Sequence, residues 1–180
     1  MSNPIEKYDA LRNTNEFVFL VFYRGAWCPF CQAYLKTLES IRPSITSAGG
    51  AVLAVTAEPA SELPKMRTAS GYDGETLVDT EHLLARELKR RGLIDVAISE
   101  RKGYAEGMVQ PGVLIGGNRV GVVYSWAIRP ATMNLGGAKD RPLLNEVWDN
   151  AQAKMAGKPP AHTKLGSLSL VSGLLQMIRG

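Results

Sequence analysis

Residues 17–35 read "FVFLVFYRGAWCPFCQAYL", an unbroken apolar run that passes directly into two cysteines separated by Pro-Phe. Cys28 and Cys31 are the only cysteines in the chain. Residues 17–23 are rich in β-branched and aromatic side chains and offer no polar position for a solvated face. That pattern predicts a strand buried on both sides. From Pro29 the pattern turns helical, with Cys31, Tyr34, Leu35, Leu38 and Ile41 recurring every three or four residues. Pro29 suits a first helical turn, where its missing N–H costs nothing. Pro43 is expected to kink or end this helix.

Working outward, "AGGAVLAVTAE" predicts a turn and a second buried strand over residues 51–56, which completes a strand–helix–strand unit with parallel strands. A short helix is expected over residues 61–69, and a short strand at "TLVD". Thr80 is expected to cap a helix running to about Arg90, with Leu83, Leu84 and Leu88 on its apolar side and Gly92 as its stop. In "PGVLIGGNRVGVVYSW" two apolar runs flank Gly116, Gly117, Asn118 and Arg119, which predicts a β-hairpin. Asp140 is expected to cap a last helix over residues 141–156, ended by Gly157 and Pro159-Pro160. The predicted class is therefore α/β: a central mixed sheet, helices on both faces, a βαβ unit first and a β-hairpin plus helix last. The expected division is an N-terminal extension (residues 1–16), one domain (17–156) and a C-terminal tail (157–180). The tail has apolar residues at helical spacing from Leu165 onward. It could pack on its own domain, form a homodimer contact or lie on a membrane.

A chain of 180 residues, 45% hydrophobic and 21% charged, is long enough to bury a core and is not of disordered composition. The formal charge of +4 reads as an ordinary mixed surface. The densest basic run, Lys89-Arg90-Arg91, sits at a predicted helix end, where cations suit the dipole. No nucleic-acid partner is expected. The N-terminus is polar, and the apolar run at residues 17–23 is far short of the ~20 residues that span a bilayer, so neither a secretory signal nor a membrane partner is expected. Two cysteines cannot build the framework of a small secreted domain, which favours a reducing, cytoplasmic setting.

The pair could be a redox centre, half of a metal site, a small staple or two inert core residues. A structural zinc needs four ligands, and only His82 and His162 remain, neither spaced as a partner motif. A disulfide across so short a loop removes little unfolded-state entropy. With Cys28 at a helix start, the open N–H groups and partial positive charge favour its thiolate. Cys31, one turn deeper on the same side, is placed to attack a mixed disulfide on it. Cys28 is thus the expected nucleophile and Cys31 the resolving thiol, with no metal.

"LVFYRGAWCPFC" resembles the active-site segment of thioredoxin-fold proteins. With "AVLAVTAE" and "LVDTEHLLARELKRRGL" it is similar, more narrowly, to the peroxiredoxin-like branch of the alkyl hydroperoxide reductase/thiol-specific antioxidant (AhpC/TSA) family, over residues 17–156. The resemblance implies a thioredoxin-like fold with a cis-proline facing the cysteines, which matches Pro111, and a free backbone at Gln110 to pair with substrate. It also exposes departures. Peroxiredoxins carry a threonine three residues before the reactive cysteine and an arginine near a later strand; those positions align with Gly25 and Pro111, neither of which can donate a side-chain hydrogen bond. Thioredoxin's buried aspartate corresponds to Phe22, and the Pro-Phe dipeptide is closer to the glutaredoxin pattern.

Arg24 could stabilise a thiolate or leaving oxygen, or be a solvated loop residue. Trp27 could floor a substrate site or end the strand in the core. The first expectation for function is a thiol–disulfide oxidoreductase acting on a disulfide or an oxidised small molecule. It would need no bound cofactor and would be reset by an external thiol such as glutathione or thioredoxin. The alternatives are a thiol peroxidase, or a thioredoxin-fold protein recruited to binding or to a specialised small-molecule reaction.

Overall fold

The computed structural model describes residues 3–168. Its strands are β1 (Phe17–Phe22), β2 (Gly50–Thr56), β3 (Glu75–Val78), β4 (Ile98–Ser99), β5 (Met108–Val109), β6 (Gly112–Gly117) and β7 (Gly121–Ala127). Its helices are α1 (Pro4–Thr14), α2 (Pro29–Ser47), α3 (Leu63–Ser70), α4 (Leu83–Arg90) and α5 (Leu144–Met155). Five strands form one sheet in the order β3-β2-β1-β6-β7. β1 runs parallel to β2 and antiparallel to β6, so the sheet is mixed as expected.

β1 is central because it has no wet face. Phe17, Phe19 and Val21 join one core with Tyr34, Leu35 and Leu38 of α2 and with Val147 and Trp148 of α5. Val18, Leu20 and Phe22 join the other, with Tyr8 of α1 and Leu84 and Leu88 of α4. All six side chains are buried, and each contributes about 1.5–3 kcal/mol of transfer free energy. The two faces are covered by different helices, and the C-terminal end of β1 opens between them at the cysteines.

Several local expectations are corrected. Residues 1–16 are not a bare extension: the Asn3 side chain accepts the Ile5 N–H at 2.9 Å, Pro4 opens α1, and Tyr8 is buried. The helix after the cysteines runs through Pro43 to Ser47, since Pro43 lies on the exposed side while Ile45 beyond it is anchored in the core. α4 is capped by Asp79 rather than Thr80; the carboxylate accepts the N–H groups of Leu83, Leu84 and Ala85 at 2.7–3.2 Å. Leu84 and Leu88 face the core, while Leu83 is exposed. Asp140 caps nothing: it has φ of 65°, and α5 begins at Leu144, outside which Arg141 is left free to turn inward.

The start of the tail is extended rather than helical. Ser167 bridges to Pro142, the Leu168 N–H donates to the Arg141 carbonyl at 2.9 Å, and Leu168 is buried against the domain. The predicted helix beyond it lies outside the described residues. Among the described residues no helix is long and apolar enough to cross a membrane.

Candidate active site

Pairing along β1 continues one residue past the strand, where the Tyr23 N–H donates to the Val55 carbonyl at 3.0 Å. Residues 24–27 then turn, with the Cys28 N–H on the Gly25 carbonyl at 3.2 Å. This makes Cys28 the N-cap residue of α2, with Pro29 opening the helix and Cys31 in its first turn. The turn is held from outside by three contacts. Glu58 accepts the Ala26 N–H at 2.7 Å, the Gln32 side chain donates to the Ala26 carbonyl at 2.6 Å, and the Tyr104 hydroxyl donates to the Arg24 carbonyl at 2.7 Å. A Cβ on Gly25 would press on the Tyr104 hydroxyl and the Glu58 carboxylate, so a larger residue there would displace two of the side chains that hold the turn.

Both thiols are free and face one another, Cys28 hydrogen-bonding to Cys31. They are deeper than the sequence suggested, with Cys28 2% exposed and Cys31 0%. The residue that the sequence pattern did not reveal is Arg141. It is wholly buried, with Nη1 3.4 Å from Cys31 Sγ and Nη2 3.8 Å from Cys28 Sγ. Nη2 also donates to the Gly137 carbonyl at 3.3 Å, and Nε has no hydrogen-bond partner among the described residues. The signal for it was the polar "KDRP" before an amphipathic helix, which sequence reasoning spent on a helix cap.

The charge settles on the deeper sulfur, the reverse of the order expected from the helix dipole alone. Burial opposes ionisation of Cys31. It is outweighed by the Cys28 thiol donating to it, by the Arg141 cation and by the backbone N–H of Arg24, so its pKa falls well below the ordinary thiol value. Cys28 is pushed up, because it donates to that anion and is itself desolvated. The reduced pair thus holds one negative charge and one proton. Ultraviolet titration of the reduced protein is expected to show one thiolate persisting well below the ~8.5 of free cysteine, and a second that does not appear on raising the pH through that value. Two thiolates titrating together near the free value would contradict the arrangement.

Arg24 is not a solvated loop residue. It is 6% exposed, its Nε and Nη2 donate to Gln110 Oε1 at 3.0 and 2.7 Å, and Nη2 also donates to the Gly136 carbonyl. Gln110 in turn donates to Ser99 Oγ at 3.0 Å. The peptide before Pro111 is trans, and the described residues contain no cis peptide. The Gln110 N–H is bonded to the Ala97 carbonyl at 2.8 Å and the Pro111 carbonyl accepts the Ile128 N–H at 3.0 Å. The chain therefore runs extended from β5 into β6, and the Gln110 N–H expected to be free for a substrate is already taken. Trp27 belongs to neither expectation in full. It is 39% exposed, its Nε1 donates to the Tyr104 hydroxyl at 2.9 Å, and the Arg101 guanidinium stacks on its ring. His82 and His162 are engaged with the Gly107 carbonyl and Asp149, and among the described residues no cluster of three metal-ligating side chains forms.

The family model described as AhpC/TSA matches residues 3–112, which span the whole cysteine segment and the sheet through the start of β6. The chain belongs to the AhpC/TSA family. The match begins earlier than the segments that carried the resemblance and ends before Arg141. AhpC/TSA membership makes the chain a thiol-dependent oxidoreductase with a thioredoxin-like fold. Among curated proteins no match is found. Solved structures similar to it include a cysteine-to-serine mutant of peroxiredoxin 6 from Arenicola marina, at 17% identity and a TM-score of 0.59, covering 83% of this chain and 66% of that one. The bacterioferritin comigratory protein of Xanthomonas campestris shares 13% identity with a TM-score of 0.57, covering 83% and 84%. AhpC of Enterococcus faecalis shares 15% with a TM-score of 0.56, covering 79% and 77%. At these identities the likeness establishes the fold of this AhpC/TSA chain alone.

Proposed function

We propose that the protein is a thiol peroxidase that reduces small hydroperoxides with Cys28 and Cys31. The observation that carries this is Arg141, a buried guanidinium within reach of both sulfurs, with an unpartnered Nε to donate to an oxygen. Burial argues in the same direction: an oxidant as small as hydrogen peroxide can approach a sulfur that is 2% exposed, whereas a disulfide on a folded chain cannot. The peroxidase reading therefore stands ahead of the thiol–disulfide oxidoreductase first expected.

Cys28, the sulfur with surface to offer, passes its proton to Cys31 and attacks the distal peroxide oxygen. The O–O bond breaks, the leaving alkoxide takes one proton from outside the thiol pair to become the alcohol, and Cys28 is left as a sulfenic acid with Cys31 still a thiol. Cys31 then attacks Cys28 Sγ, the S–O bond breaks with loss of water, and the disulfide closes. An external low-molecular-weight thiol or a thioredoxin returns the pair to its reduced state. Arg141 stabilises first the thiolate and then the leaving oxygen without reorganising. Stopped-flow mixing of the reduced protein with hydrogen peroxide, followed by tryptophan fluorescence, tests this. Oxidation is expected to be orders of magnitude faster than that of free cysteine; a rate no better than free cysteine removes the proposal.

A further inference from the structure

Glu58 is a buried carboxyl that this chemistry leaves without a task. It lies just beyond β2, is 4% exposed, and has one oxygen on the Ala26 N–H at 2.7 Å and the other against Gly25. The titratable groups that face it are Tyr23 at the end of β1, Cys31 in α2, Tyr104 in the loop before β5, and Glu62 and Lys65 at the start of α3. Lys65 is exposed and held by Glu62 at 2.8 Å, so Glu58 makes no ion pair among the described residues. The Tyr23 hydroxyl is buried on the same side, against Thr56 and within the electrostatic reach of both Glu58 and Cys31.

A proton count gives this cluster a role. Reducing a hydroperoxide to alcohol and water consumes two electrons and two protons. Closing a disulfide from one thiolate and one thiol releases two electrons and a single proton. We propose that Glu58 holds the second proton while the pair is reduced and gives it up in the course of oxidation, where a leaving alkoxide would need it. Burial, and then the neighbouring Glu62 and Cys31 charges, raise the carboxyl's affinity for a proton in the reduced protein. Oxidation removes the thiolate and leaves Arg24 and Arg141 as buried cations, which favours an anion nearby. The inference rests on the pair being redox-active, but not on peroxide being its oxidant.

Redox-difference infrared spectroscopy of the full chain, cycled with reduced and oxidised dithiothreitol, tests it. A protonated-carboxyl band is expected to disappear on oxidation, to shift when glutamate carboxyls are isotope-labelled, and to be absent in Glu58→Gln. Between the two ionisations of Glu58, the equilibrium constant against dithiothreitol, whose own reduction takes up two protons, should be nearly independent of pH in the wild type and change about 10-fold per pH unit in Glu58→Gln. The labelled wild type alone decides the matter if the variant does not fold. No redox-linked glutamate band, or the same pH dependence in both proteins, overturns the proposal. Absence of peroxide turnover would instead remove the peroxidase reading and leave these measurements standing.

Discussion

Replacing Arg141 by methionine is expected to slow oxidation of the thiol pair by hydrogen peroxide about 10²–10³-fold while the chain stays folded. Among the described residues Arg141 is the one side chain that donates to both sulfurs, and its burial means that water cannot substitute for it. Its removal should raise the first thiol ionisation, because the cation that offsets the desolvation of Cys31 is gone. Stability should change little, since the pair can protonate and a buried ion exchanged for an apolar side chain is often neutral to folding. Arg141→Lys should recover only part of the rate, as one ammonium cannot span two sulfurs as a planar fork does. The measurements are stopped-flow oxidation, thiolate titration and denaturant unfolding of the same variants. An unchanged rate in Arg141→Met would show that its proximity to the thiols has no part in the reaction.

Cys28→Ser is expected to abolish turnover entirely, whereas Cys31→Ser should consume one equivalent of peroxide and stop. In the second variant Cys28 inherits the negative charge, because Arg141 Nη2 already reaches it. With no resolving thiol the sulfenic acid persists and can be trapped by a dione reagent. Mass spectrometry of the trapped adduct distinguishes the two roles. If instead Cys31→Ser were inert and Cys28→Ser formed the adduct, the anionic, deeper sulfur would be the attacker and the assigned roles would exchange. Full activity in both variants would leave the pair outside the chemistry altogether.

Much of this site was legible because its parts are close in sequence. A strand with no wet face must lie at the centre of a sheet, and Pro29 with the apolar repeat after it must open a helix, so Cys28 and Cys31 fall at the junction whatever the rest of the chain does. The hairpin at Gly116–Asn118 was equally local, since a tight turn needs residues that tolerate its backbone angles. α1 was overlooked, although Asn3, Pro4 and Glu6 form a capping signature; one buried side chain, Tyr8, leaves almost no apolar period to read. Asp79 and Thr80 are both capping residues, and only the backbone path chooses between them.

The strand–thiol–helix junction, and with it the redox character of the chain, follows from contiguous residues, because propensity and periodicity act over a few positions. Which sulfur carries the charge does not. That depends on Arg141, which is 110 residues from Cys31 and enters the site only because α5 starts three residues later than its sequence suggests. The same is true of Arg24 with Gln110 and of Glu58 with Ala26: Coulomb interactions and desolvation act through space, and those distances exist only once the sheet has closed.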